Sequence, residues 1–86
     1  MNPGVKKVAY RSPYQLHIWF ANGEEKLFSL QTYLDVPGYQ KLRNEAFASK
    51  AFCFNGTVAW DDMIDFDPDT LFLESKPLKK TSIFEH

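Results

Sequence analysis

LHIWFANGEEKLFSL, residues 16–30, decides the fold. Two runs rich in β-formers flank Asn22-Gly23, the strongest short-range signal for a hairpin. The turn type then follows from the side-chain pattern. A two-residue Asn-Gly turn would pair Phe20 with Glu25 and Leu16 with Ser29, giving two mixed faces. A three-residue turn with Gly23 in the left-handed conformation pairs Phe20 with Glu24 and Leu16 with Phe28. That bulged register places Leu16, Ile18, Phe20, Phe28 and Leu30 on one face, and Gln15, His17, Trp19, Glu25, Leu27 and Ser29 on the other. A one-residue slip would exchange the faces, so the register with the cleaner apolar face is expected.

Working outward, Val5–Tyr10 (VKKVAY) reads as a preceding strand ended by Arg11-Ser12-Pro13, which makes a three-stranded antiparallel meander. Gln31–Leu34 reads as one helical turn before the Asp35-Val36-Pro37-Gly38 break. Tyr39–Phe47 places Tyr39, Leu42, Arg43, Ala46 and Phe47 at helical spacing, which predicts a short amphipathic helix lying on the sheet. A second hairpin follows, AFCF and TVAW around Asn55-Gly56. The same bulge argument pairs Phe52 with Val58 and gathers Phe52, Phe54, Val58 and Trp60 on one face. Asp67-Pro68-Asp69-Thr70-Leu71 then reads as a helix start, with Asp67 as N-cap and Pro68 at the first helical position. The expectation is a small α+β fold: meander, one or two short helices, a second hairpin, and a short C-terminal helix. Residues 1–72 form the domain, and 73–86 form a tail, partly flexible or docking on a partner through Ile83 and Phe84.

The composition suits one small domain. A chain of 86 residues buries roughly 60–65% of its unfolded surface, so the core must be used efficiently. Eight Phe, four Tyr and two Trp supply large apolar payloads. Ten basic and eleven acidic residues leave a formal charge of −1, so no global field recruits nucleic acid or anionic membrane. Lys6-Lys7 and Lys76, Lys79 and Lys80 are short basic islands offset by acids, a weak signal for nucleic-acid contact or regulation. No stretch approaches the ~20 apolar residues of a membrane span, and the N-terminus lacks a signal peptide's apolar run. The expected location is the cytoplasm.

Candidate chemistry concentrates in residues 61–69, where five of nine positions are aspartate. Asp65, Asp67 and Asp69 open like a calcium loop, but the sixth and twelfth positions are Thr70 and Lys76 instead of Gly and Glu. Asp61, Asp62 and Asp65 are the residues that a metal-dependent or acid–base enzyme would use. Asp61 and Asp62 are adjacent, however, and adjacent strand residues point to opposite faces. Asp67 has a structural role as a helix cap, and Asp69 meets the positive end of the helix dipole. Cys53, the only cysteine, sits among phenylalanines and reads as a buried structural thiol. His17 and His86 stand far apart in sequence, and no catalytic triad, metal ligand set, phosphate loop or cofactor motif is suggested. The outer face of the first hairpin is the stronger candidate. His17, Trp19 and Leu27 occupy positions that should be wet; either a helix covers them or they form a protein-binding surface.

The order of these blocks resembles a known bacterial family, the domain-of-unknown-function 2442 family. The resemblance rests on VKKV at 5–8, LHIWFANGEEKLFSL at 16–30, PGYQKL with Phe47, GTVAW at 56–60, and IDFDPDTLF at 64–72. Family members often carry a Pro-Asn-Gly-like turn after the Trp, where this chain has Asp61-Asp62-Met63, and Asp where it has Ser29. The resemblance implies a small α+β domain, in some members joined to a helix-turn-helix DNA-binding domain for which the stretch after Phe72 is too short. It also implies frequent encoding beside another small protein, as in a toxin–antitoxin pair, and it supplies no catalytic residues. The leading expectation is a non-enzymatic protein–protein interaction module with a protein partner, able to form homo-oligomers, touching nucleic acid only indirectly and no membrane.

Overall fold

A computed structural model describes residues 2–61 and 63–78. Strands β1 (Val5–Arg11), β2 (Gln15–Phe20) and β3 (Glu25–Ser29) form the expected antiparallel meander. The register of the first hairpin is the bulged one: Leu16 faces Phe28, and the Phe20 N–H donates to the Glu24 carbonyl at 2.9 Å. Gly23 takes φ +93°, the left-handed position that this turn reserves for glycine. Burial alternates along both strands, and Leu16, Ile18, Phe20, Phe28 and Leu30 are all essentially inaccessible.

The middle of the chain differs from the expected helix over 39–47. Gln40–Arg43 forms a 3-10 turn, Asn44 is extended (φ −84°, ψ 109°), and α1 (Glu45–Ala48) begins afresh after it. The cause is the Asn44 side chain, whose Oδ1 accepts the Ala46 N–H at 2.9 Å and so caps a new helix. The break turns the chain, so Leu42 and Ala48 are buried while Ala46 is exposed.

The second hairpin corrects a second expectation. Strands β4 (Phe52–Phe54) and β5 (Thr57–Trp60) pair Phe52 with Ala59, Cys53 with Val58 and Phe54 with Thr57. The turn is the two-residue kind, with Asn55 at φ 50° and Gly56 at φ 79°, both left-handed as a type I′ turn requires. Val58 and Trp60 therefore enter the core on the Cys53 side, while Phe52 and Phe54 stand on the opposite face. Cys53 itself is exposed, not buried, and its thiol lies 3.3 Å from the Val5 carbonyl. Strand β6 (Ile64–Asp65) adds to β5, giving a second antiparallel sheet in the order β4-β5-β6.

The two sheets meet at the start of β1, where the Val5 N–H donates to the Gly56 carbonyl at 2.8 Å. Between them lies one core that joins the inner face of the meander to Leu42, Ala48, Val58, Trp60, Ile64, Phe66 and Leu71. Phe66 sits at its centre, with the rings of Phe28, Tyr33, Tyr39 and Trp60 all within 4.9–5.9 Å of its own. The Trp60 indole N–H donates to the Ala48 carbonyl at 2.9 Å, which ties β5 to the end of α1.

Helix α2 (Pro68–Glu74) starts where the Asp67-Pro68 pattern predicts, with the Asp67 carboxylate accepting the N–H groups of Asp69 and Thr70. The expected domain boundary at 72 falls inside this helix. Beyond it, β7 (Lys76–Pro77) pairs with β3 and makes the meander four-stranded, β1-β2-β3-β7. The remainder of the expected tail, including Ile83, Phe84 and His86, lies outside the described residues. Lys26, opposite Ile18 on the core side, is also buried; its ammonium reaches the Phe72 carbonyl at 2.9 Å and lies 3.6 Å from that ring. The apolar stem of lysine lets this position share the inner face while the charge keeps a partner. No helix among the described residues is long and apolar enough to cross a membrane.

Candidate interaction surfaces

Both sheets have an outer face, and each carries large side chains. On the four-stranded sheet, β2 and β3 alternate so that His17, Trp19, Glu25 and Leu27 share the outer face, where His17 pairs with Leu27 and Trp19 with Glu25. The helices α1 and α2 pack on the inner side through Ala48, Leu71 and Phe72. His17, Trp19 and Leu27 are only half-buried. The imidazole of His17 stacks on the Trp19 indole, centroids 3.8 Å apart and planes 8° from parallel. Its Nε2 lies 3.1 Å from Glu25 Oε1, and the Lys7 ammonium from β1 sits 4.6 Å from the indole centroid. The three residues singled out in the sequence are therefore brought together, with Lys7 and Glu25 completing the group.

The outer face of the three-stranded sheet is built differently. Across it run Phe52, Ala59 and Asp65, one from each strand, because Ala59 pairs with both of its neighbours. The small Ala59 side chain forms the floor of a cleft of about 210 Å³, walled by Phe52, Phe54, Met63, Ile64 and Asp65. Phe52 is 41% exposed, Phe54 57% and Met63 96%. Met63, at φ 61°, stands between this cleft and an adjoining one of about 530 Å³ that reaches Gly38, Gln40 and Lys41. The choice of turn is what exposes the two phenylalanines. The signal was present in the sequence, since Asn-Gly favours the two-residue type I′ turn that the apolar pattern argued against.

The aspartates divide. Asp61 is exposed in the turn after β5, and Asp62 lies outside the described residues. Asp65 is exposed on β6; its backbone carbonyl accepts the Tyr39 hydroxyl at 3.1 Å, while its carboxylate has no hydrogen bond or ion pair among the described residues. Asp69 accepts from the Asn2 amide at 3.1 Å. Among the described residues, no three His, Cys, Asp or Glu side chains are grouped to hold a metal ion.

Perturbed titrations fall on tyrosines that brace the fold. Burial, reinforced by a 2.6 Å bond to Glu74, pushes the Tyr33 hydroxyl up to about 12. Burial and then the Asp65 charge raise Tyr39, and burial with the Glu45 bond raises Tyr10. Glu45 is held below the ordinary carboxylate value by hydrogen bonds from Tyr10 and then Ser12. Each hydroxyl holds its proton and spans two elements, which makes these groups struts of the structure.

Compared with known proteins, the chain matches over residues 5–77 a family model described as a protein of unknown function, DUF2442. No curated protein and no solved structure matches it.

Proposed function

The chain belongs to the DUF2442 family, whose function is unknown, and from that premise we propose that it is a non-enzymatic protein–protein interaction module. The observation that supports this reading is the cluster of Phe52, Phe54 and Met63, exposed around one cleft while the core closes without them. Large neighbouring apolar groups left in water are characteristic of binding surfaces. The His17–Trp19–Leu27 face is the second candidate surface.

The test compares the immobilised wild-type chain with a Phe52→Ser/Phe54→Ser variant in the same native lysate, read by quantitative mass spectrometry. A protein retained by the wild type and lost from an equally stable variant is expected. An identical captured set would remove the proposal. The finer reading, one member of a toxin–antitoxin-like pair, rests on the gene arrangement implied by the family resemblance. Co-expression with the adjacently encoded small protein should then give a single co-eluting complex.

A further inference from the structure

The cleft over Ala59 carries information about what would fill it. Its walls are apolar on one side, Phe52 and Phe54, and anionic on the other, where the Asp65 carboxylate projects with no partner among the described residues. Asp61, in the turn just beyond β5, adds a second exposed carboxylate at the same end of the sheet. The floor is small because Ala59 lies between Phe52 and Asp65, so there is room for a side chain from outside. An apolar group seated there would be desolvated against the phenylalanines. A cation beside it would meet a carboxylate at the border of low-dielectric surface, where a charge pair also sets orientation. Exposed aromatic faces beside a carboxylate favour arginine over lysine, since guanidinium stacks on rings and forks onto carboxylates.

We propose that this cleft docks a partner segment with one apolar side chain next to arginine, the apolar group over Ala59 and the guanidinium on Asp65. The proposal rests on the interaction reading above and specifies the partner's chemistry. Met63 suits such a site, because an unbranched thioether side chain can repack against differing anchors. The adjoining groove past Met63 gives an extended segment a path along the surface.

The probe is a synthetic peptide, Gly-Ser-Arg-Leu-Arg-Ser-Gly, with a control in which both arginines are glutamate. Amide shifts of the isotope-labelled chain map the contact. The arginine peptide should move the amides of Ala59, Met63, Ile64 and Asp65, more weakly as salt is raised, and the glutamate peptide should not. Asp65→Asn should weaken binding about two- to fivefold, the range for one exposed charge pair. Asp65→Lys should reverse the preference between the two peptides. Equal response to both peptides, shifts confined to another face, or no shift at millimolar peptide would overturn the proposal. Concentration-dependent shifts at the same amides without peptide would also overturn it, making the cleft a contact between copies. The lysate comparison separates the two levels. If Phe52→Ser/Phe54→Ser loses its partner and Asp65→Lys keeps it, the surface stands and the arginine-bearing partner falls.

Discussion

The outer faces of the two sheets make an instructive pair. Each carries large residues on the wet side of a short antiparallel sheet, and each is bounded by an Asn-Gly turn. On the four-stranded sheet the large groups satisfy one another: His17 lies on Trp19, Glu25 meets His17, and Lys7 covers the indole. On the three-stranded sheet, Phe52 and Phe54 meet edge-on, centroids 6.5 Å apart, and remain largely in water. The difference lies in neighbouring positions. Polar ends at residues 7, 17 and 25 complete the first surface, whereas Ala59 and Asp65 leave the second with a notch and a carboxylate that has no partner among the described residues. An aromatic on a sheet's outer face is thus a binding candidate to the extent that its neighbours fail to cover it.

The largest effect lies beneath the three-stranded sheet. Trp60→Ala removes the core support of the three-stranded sheet and leaves the Ala48 carbonyl with only the long 3.4 Å bond from the Ala51 N–H. It should cost about 3–5 kcal/mol in urea denaturation, as large truncations of buried aromatics do. A much smaller loss would mean that the second sheet is not integral to the core. Next comes Trp19→Ala on the self-satisfied face, expected to cost roughly 1–2.5 kcal/mol. That figure combines a ring stack worth about 0.5–1.5 with a cation–π contact worth about 0.5–1. If thermal stability hardly moved while partner capture fell, the His17–Trp19–Leu27 face would be the binding surface instead.

Phe52→Ser and Phe54→Ser should each change stability by no more than about 0.5 kcal/mol, the usual range for exposed sites. A loss of several kcal/mol would show that these rings are structural and bring the two faces into line. The effect confined to alkaline pH belongs to Tyr33, which joins the seam between the sheets and binds Glu74. Its folded-state value lies above the ordinary 10.0, at about 12, so the protonated form is the one that the fold favours. Its contribution should be fully present below pH 10 and be lost as pH rises from 10 toward about 12. Over that window wild type should lose more stability than Tyr33→Phe, and parallel curves would contradict the assignment.

How far the sequence could be read follows from where each signal comes from. In the first hairpin, turn chemistry and apolar pattern point to one register, because Gly23 can serve the bulge and the bulge cleans the face. The Asp67-Pro68 helix start was equally legible, since cap, proline and dipole act within one turn. At the second hairpin the two signals conflict, and local turn geometry wins over the tidier apolar face. At Asn44, a side-chain bond two residues long overrides a helical periodicity spanning nine positions. Neither candidate surface was fully legible for the same reason. Whether His17, Trp19, Phe52 or Phe54 is covered depends on residues far away in the chain.

By itself the sequence determined a small α+β chain, its central meander and register, and the point where α2 begins. Those features arise from contacts between near neighbours, whose spacing is visible in one dimension. Only the tertiary structure decided that β7 would extend the meander, that Val58 and Trp60 would turn inward, and that Ala59 and Asp65 would form a cleft with two phenylalanines. These depend on which surfaces close over one another, and burial is settled by the whole fold competing for a single core.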